Sequence, residues 1–434
     1  LQKVNAFVGA IAEQEYVQPD AAMHQLAMKL ETIGLSYTIP KIDGNNGKSV
    51  VEVSQFGGRY GKTSDNTTSG EGDIENNDGI SHRTAEPSGD LLGSKILSKI
   101  KEHFQNIEVI GVGGGPLEEH NLSTDREMLE IMGLVDPILN FQKIVNYRND
   151  LIETFINEKI DIFIGIDAPD FNFEIYKKLQ KKGIKTVHVV CPSVWAWRPG
   201  RVKKFKHVDY MLCLFPFELE YCANVNKQAF CIGHPLLEKQ SAFECNDKEN
   251  IICIMPGSRR SEIQHNLEVM IDGFNQFNFE EKYQAIIPIY KEDDKYLIQH
   301  KIQGHKHITL ANAESSEILK KAKAAVVCSG TATLEALLAE VPTTVIYKTN
   351  WFNHLILKNL MMSEFVSIPN IVADEEIFLE LIQTNASSEN IAHDLNSNMA
   401  DYEFRKEMIQ AVKAKLEKPN LDSFCNRLYE DCRS

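Results

Sequence analysis

IICIMPGSRRSEI, residues 251–263, is an unbroken apolar run that ends in a Pro-Gly-Ser turn and continues with helical spacing. Consecutive apolar residues without polar alternation suit a strand buried on both faces, as in a parallel sheet covered by helices. A turn at the carboxyl end of such a strand brings backbone N–H groups and a helix N-terminus to the crevice where doubly wound sheets bind ligands. The same rhythm extends downstream through strand-like runs at 285–290, 308–311, 324–328 and 344–347. Upstream it recurs at 108–112, 161–166, 186–190 and 210–215, after a helix over 91–104 whose Leu92, Ile96, Leu97 and Ile100 share one face. The pattern predicts two α/β domains in tandem, 84–240 and 241–434, each a parallel sheet, the second carrying the terminal helices. Residues 1–83 stand apart as an unassigned extension. They hold a possible helix over 21–33 and a Gly-, Asn-, Ser- and Thr-rich tract over 44–82, too poor in apolar residues to offset ordering entropy and read as a flexible linker.

Composition narrows the function. The chain has 434 residues, 43% hydrophobic and 25% charged, with a formal net charge of −15. That balance argues against a general nucleic-acid binder, which needs a basic face to displace counterions. No run approaches the roughly 18–20 apolar residues that span a bilayer, so a cytoplasmic protein, soluble or peripheral to a membrane, is expected. Nine scattered cysteines without a CxxC pair fit reduced thiols and suggest no zinc site.

Several turns carry chemistry. Arg259 adds a planar guanidinium beside Ser258 in the Pro-Gly-Ser turn, suited to phosphate oxygens; alone, this is equally a surface turn with a solvated arginine. CSGTATLE, residues 328–335, repeats the strand-into-helix turn. Ser329, Gly330, Thr331 and Thr333 let a phosphate approach, and Glu335 suits ribose hydroxyls, or these residues merely cap a helix. Two such turns in one domain favour a nucleotide diphosphate. Asp167 closes the apolar run 162–166, where a partly desolvated carboxylate suits a general base; Asp170 and Asn172 are expected to cap the next helix. Glu86, Ser88 and Asp90 form a turn before the first strong helix, as caps or as ligand contacts. Trp195, Trp197 and Arg198, followed by Arg201, Lys203, Lys204 and Lys206, suit a phosphorylated sugar or an anionic membrane surface, or are a packed pair beside a solvated basic helix.

Taken in order, EPSGD at 86–90, MGLVD at 132–136, GIDAPDFN at 165–172, GIKT at 183–186 and PSVWAWR at 192–198 resemble the lipid-A-disaccharide synthase family. FPFE at 215–218, IGHP at 232–235, PGSR at 256–259, SGTATLE at 329–335 and SIPN at 367–370 continue the resemblance. It implies a GT-B fold, two tandem Rossmann-like parallel-sheet domains facing a cleft, with C-terminal helices. It also implies an inverting, metal-independent transfer without a cofactor from UDP-2,3-diacylglucosamine to 2,3-diacylglucosamine 1-phosphate (lipid X), releasing UDP. By the same resemblance Asp167 is the base for the acceptor hydroxyl, and Arg259 clamps the pyrophosphate. Ser329 to Thr333 line the phosphates, Glu335 the ribose, and Asn370 the donor side of the cleft. Val135, Ile138, Leu139, Phe141, Ile144 and Val145 are implied as the contact with the cytoplasmic face of the inner membrane; a core-facing helix is the plainer reading. A stretch over 351–361 is a second, weaker apolar candidate.

One departure bears on activity. The family has an apolar strand running into its EPSGD-like element, whereas here GISHRTA, residues 79–85, precedes it. If the first strand is missing, the first sheet has a gap near the active site, which motivates one competing reading, a catalytically impaired nucleotide- or lipid-binding relic; another GT-B enzyme acting on UDP-sugars is a separate alternative.

Overall fold

The computed structural model describes residues 4–10, 88–104, 107–112, 141–195, 199–223, 225, 228–243, 247–289, 292–348, 363–416 and 418–433. All of them lie in one compact unit of the chain. The expected helix over 21–33 and the linker over 44–82 fall outside the described residues.

The first sheet holds six parallel strands: β1 (Val4–Ala10), β2 (Ile107–Val112), β3 (Ile162–Ile166), β4 (Lys185–Val189), β5 (Tyr210–Cys213) and β6 (Ala229–Cys231). Their order is β2-β1-β3-β4-β5-β6, so connections leave in opposite directions from the neighbouring strands β1 and β3. The first strand is not missing. Val4–Ala10 fills the gap, pairing Phe7 with Ile110 of β2 and Val8 with Ile164 of β3. VNAFVGA is apolar enough to sit between two strands, but residues 11–87 separate it from the helix it feeds, and that hid it from a local reading. Residues 4–10 are thus part of the first domain, not of an extension.

The second sheet contains β7 (Ile251–Met255), β8 (Gln284–Pro288), β9 (Ile308–Ala311), β10 (Ala324–Cys328), β11 (Thr343–Tyr347) and β12 (Leu379–Ile382), all parallel. The order β12-β11-β10-β7-β8-β9 places its switch point between β7 and β10. Unbroken apolar runs are buried end to end in β3 and β10, as their lack of alternation predicts.

Helices cover both sheets. In α1 (Ser88–His103), Leu92 is 6% exposed and Ile96, Leu97 and Ile100 are fully buried, the face that their spacing predicts. Next in the first domain come α2 (Phe141–Asn157), α3 (Pro169–Gln180) and α4 (Glu218–Ala223). The second domain carries α5 (Arg260–Phe277), α6 (Glu292–Ile302), α7 (Ser315–Leu319), α8 (Thr331–Leu338), α9 (Ile368–Ala373), α10 (Ser388–Ala400) and α11 (Tyr402–Lys413).

Two crossings join the domains. After β6 the chain forms 3-10 turns over Pro235–Phe243, and Leu237 and Phe243 enter one apolar cluster with Phe215 from the first domain and Met255 and Leu334 from the second. The last helix, α12 (Asp422–Arg433), departs from the expected division at residue 241. It returns to the first domain, where Phe424, Cys425 and Leu428 pack with Leu92, Ile96 and Ile164. Tyr210 donates a 2.6 Å hydrogen bond to Asp431 of this helix. The apolar stripe of α1 is thus packed in one cluster with strand residues such as Ile164, Val187 and Leu212 and with the returning helix.

No helix among the described residues is long and apolar enough to cross a membrane.

Because β1 lies between β2 and β3, deleting residues 1–10 is expected to abolish cooperative folding of the first domain while the second still unfolds as a unit. Urea denaturation followed by proteolysis checks this; an unchanged two-domain profile would show that β1 is dispensable.

Candidate active site

In the first domain the site is built on the switch-point strand β3. Its fully buried run ends at half-buried Asp167, whose φ of 52° and that of Ala168, 41°, both lie in the left-handed region. Aspartate tolerates that region; alanine there is strained, at a cost of about 1–3 kcal/mol. Hydrogen bonds impose the geometry. The Asp167 N–H donates to Val189 O at 2.9 Å, and Asn172 Nδ2 donates to Asp167 O at 2.7 Å. The N–H groups of Phe171 and Asn172 both donate to Ala168 O at 3.0 Å, so Ala168 caps α3 through its backbone. Neither Asp170 nor Asn172 caps that helix, contrary to expectation. Asp170 instead pairs with Arg201 and, at 3.7 Å, with Lys204, which draws the basic 3-10 segment Pro199–His207 onto α3.

Beneath this turn Tyr176 fills the space over Gly165. A Cβ at Gly165 would lie 2.2 Å from the Tyr176 hydroxyl and 2.9 Å from Asn172 Cγ, so only glycine lets α3 approach β3 this closely. The Tyr176 hydroxyl lies 3.3 Å from the carbonyl oxygens of Gly165 and Val187 and 2.8 Å from His188 Nδ1. Burial holds the His188 imidazole down at about 3, with Arg201 adding to the effect. The ring is therefore neutral. Asp167 is thus carried on a backbone that a buried, uncharged network fixes in place.

In the second domain two turns stand side by side because β7 and β10 are paired, Met255 beside Val327. The turn after β7 has Gly257 at φ 121°, with Arg259 as the N-cap of α5. The anion site expected there exists, and Glu262 occupies it. Its Oε2 accepts the N–H groups of Ser258 at 3.1 Å and Arg259 at 3.2 Å, while its Oε1 lies 3.4 Å from Arg259 Nη1. An acid three residues after a helix cap is a recognisable reciprocal-capping signal. Asn266 Nδ2 donates to Glu262 O at 2.9 Å and reaches Pro256 O at 3.4 Å and Cys328 Sγ at 3.5 Å, linking the two turns from below.

After β10, Gly330 (φ 147°) is the N-cap of α8. Gly330 and Thr331 are exposed, so the helix start is open to a ligand. The Ser329 hydroxyl donates to Val366 O at 2.8 Å. Two expectations are corrected. Thr333 is fully buried and its hydroxyl donates to Gly330 O at 2.8 Å, so it shapes the turn and presents no group to a phosphate. Asn370 is also fully buried. Its amide donates to Phe378 O and Glu380 Oε1, both at 2.8 Å, and accepts the N–H groups of Ile377 and Phe378 at 2.9 Å. That exhausts its hydrogen-bonding capacity and leaves nothing for a donor sugar. Glu335 is half-buried, its carboxyl raised by burial, and it accepts the Ser315 hydroxyl, the kind of partner that a ribose hydroxyl also provides.

Other expected residues are less defined. Ser88 and Asp90 belong to the first turn of α1, and their side chains fall outside the described set, as do Glu86, Trp197 and Arg198 entirely. Trp195 packs edge-on against Phe217. Val135, Ile138, Leu139 and the stretch 351–361 lie outside the described residues; Phe141, Ile144 and half-buried Val145 begin α2, the first two without described side chains.

Among known proteins, the family profile for lipid-A-disaccharide synthetase (LpxB) matches residues 80–426. The chain belongs to the lipid-A-disaccharide synthetase family. Its relatives include the lipid-A-disaccharide synthases of Saccharophagus degradans, 33% identical over 76% of this chain and 89% of that one, and Pseudomonas putida strain GB-1, 34% over 77% and 92%. That of Idiomarina loihiensis is 35% identical over 70% of this chain and 85% of its own. The enzyme's fold is shared with a UDP-GlcNAc 2-epimerase from Neisseria meningitidis bound to UDP-GlcNAc, at TM-score 0.51, 11% identity and coverage of 78% and 95%. It is shared equally with UGT89C1 of Arabidopsis thaliana complexed with UDP, at TM-score 0.51, 11% identity and coverage of 79% and 96%. Strand β1 lies before the residues that the family profile matches.

Stability should fall on acidification through the buried imidazoles. Burial holds His188 at about 3 and His234 at about 4, against about 6.5 in an unfolded chain. Below pH ~6.5 the unfolded state binds the extra protons. The stabilisation is therefore complete above that pH and is lost as pH falls toward the folded values. His188→Asn, whose amide can reach the Nδ1 position, is expected to flatten this acid limb; parallel slopes in urea titrations between pH 7.5 and 4.5 would contradict it.

Proposed function

We propose that the enzyme transfers the 2,3-diacylglucosaminyl group from its UDP derivative to the 6-hydroxyl of 2,3-diacylglucosamine 1-phosphate. The products are a β-1,6-linked disaccharide 1-phosphate and UDP. The observation that carries this reading is the pairing of chemistries at the two switch points: a carboxylate closes β3, and an arginine with an open helix start closes β7 and β10. Asp167 takes the proton from the acceptor hydroxyl as its oxygen forms a bond to the anomeric carbon. The bond from that carbon to the β-phosphate oxygen breaks on the opposite face, which inverts the configuration. Arg259 and the backbone N–H groups at the start of α8 take up the charge that develops on departing UDP, so the displacement is balanced without a divalent ion. Glu335 receives the ribose hydroxyls in place of Ser315.

The acceptor and donor both carry acyl chains, so the enzyme works at the cytoplasmic face of the inner membrane, held peripherally. The apolar positions Val135, Ile138, Leu139, Phe141, Ile144 and Val145 supply that contact. Strand β1 removes the reason for a relic reading, since the sheet at Asp167 is complete. A UDP-sugar epimerase needs no acceptor, and release of UDP that depends on the acylated acceptor separates the two activities.

Asp167→Asn keeps a residue suited to a φ of 52° while removing the base. It is expected to lower kcat by at least ~100-fold with UDP affinity nearly unchanged. Arg259→Ala is expected to weaken UDP binding and kcat together. Steady-state kinetics with both acylated sugars, and calorimetry with UDP, check the pair; lost UDP binding in the first variant would remove Asp167 from the base role.

A further inference from the structure

Away from the nucleotide side, three cysteines that are distant in sequence meet inside the first domain. Cys191 follows β4, Cys213 ends β5 and Cys222 lies in α4; their sulfur atoms all fall within 4.8 Å of one another. Cys213 and Cys222 are 3.9 Å apart. Sulfurs sharing one metal ion at about 2.3 Å stand about 3.8–4.0 Å from each other, so one pair already has the required spacing and the third needs only a small adjustment. Cys191 is 3% exposed and the other two fully buried, amid Phe173, Phe205 and Met211.

Beside them Glu218 is buried, and its Oε2 accepts the N–H groups of Leu214 at 2.8 Å and Phe215 at 3.0 Å.

We propose that Cys191, Cys213 and Cys222 form a buried three-thiolate site for a soft cation of the Cu(I) class, structural in role and apart from the transfer reaction. Thiolates select soft ions, and three sulfurs in an apolar shell satisfy a three-coordinate Cu(I) ion. A structural zinc ion requires a fourth donor, and among the described residues no histidine or carboxylate joins the group of three sulfurs. On binding, each sulfur that still carries a proton releases it to solvent as the metal–sulfur bond forms. The ion ties together the ends of β4 and β5 and α4, directly behind the turn that Val189 O stabilises through Asp167 N–H.

The test uses the full chain, reduced and metal-free under anaerobic conditions, titrated with Cu(I) presented as its bicinchoninate complex. One equivalent is expected to leave the chelator, raise the thermal midpoint and show three sulfur neighbours by X-ray absorption. Cys213→Ser and Cys222→Ser are each expected to weaken Cu(I) binding at least ~100-fold, and Cys328→Ser, a buried thiol of the second sheet, to leave it unchanged. Absence of uptake by the wild-type chain, nitrogen or oxygen ligands in the absorption spectrum, or equal affinity in all three variants would overturn the assignment. The wild-type spectrum decides the matter even if a variant fails to fold.

Discussion

Each sheet of this enzyme reverses its strand order once, and the residues proposed for the chemistry stand at those two reversals. Where connections leave neighbouring parallel strands in opposite directions, no helix crosses the gap between their carboxyl ends, and a crevice opens. In the first sheet that gap lies between β1 and β3, in the second between β7 and β10. Hydrogen bonding of Val4–Ala10 on both edges is what creates the first gap at all. Without β1, β3 would be an edge strand, Asp167 would stand at the rim of the sheet, and no crevice would face the second domain. The dependence is topological: a strand separated from its own helix by residues 11–87 fixes the position of a carboxylate contributed by another strand.

Around these gaps the backbone is strained in a concentrated way. Asp167, Ala168 and Val190 all have positive φ, at 52°, 41° and 73°, and all lie at the ends of β3 and β4. A β-branched residue there is an outlier, since its Cβ substituents crowd the carbonyl. The strain is held by bonds to the neighbouring strands, Asp167 N–H to Val189 O of β4 at 2.9 Å and Val190 N–H to Leu212 O of β5 at 3.0 Å. Tyr176 and His188, both buried and uncharged, hold the same region from beneath. Strain of this kind is tolerated when the surrounding packing over-determines the turn.

The strand-and-helix rhythm was legible because parallel strands buried on both faces have no polar alternation; the runs at 251–255, 308–311 and 324–328 coincide with β7, β9 and β10. Short edge strands escaped: β6 has three residues and β12 interposes Glu380 between Leu379 and Leu381. β1 escaped because its context in sequence is foreign to its context in space. At the site, residue type was readable but partnership was not. A threonine in a phosphate-type turn, or an asparagine that family resemblance puts on the donor side, has the right chemistry, yet Thr333 and Asn370 direct it inward to Gly330 O and to the backbone of residues 377 and 378. The three-cysteine cluster escaped for the same reason: spacing in sequence reports metal sites only when the ligands share a loop or helix.

Glu262 poses the remaining question about the pyrophosphate side. A carboxylate resting on the Ser258 and Arg259 N–H groups either yields to a diphosphate or belongs permanently to the turn. Gly257 decides between them. A Cβ there would lie 2.4 Å from Glu262 Oε2 and 2.5 Å from Glu262 Cβ, so the turn is shaped around the whole side chain and not merely around its charged tip. Asn266 fixes the same helical turn by binding Glu262 O at 2.9 Å. Glu262 is therefore a resident part of the site. Its Oε2 accepts the turn's two N–H groups and its Oε1 lies 3.4 Å from Arg259 Nη1, so in the proposed reaction the leaving group would meet the guanidinium and the open start of α8 instead of the Pro-Gly-Ser N–H groups. In that proposed reaction the arginine would be a held, partly compensated cation, which suits charge that grows as UDP departs better than charge already present in the bound donor.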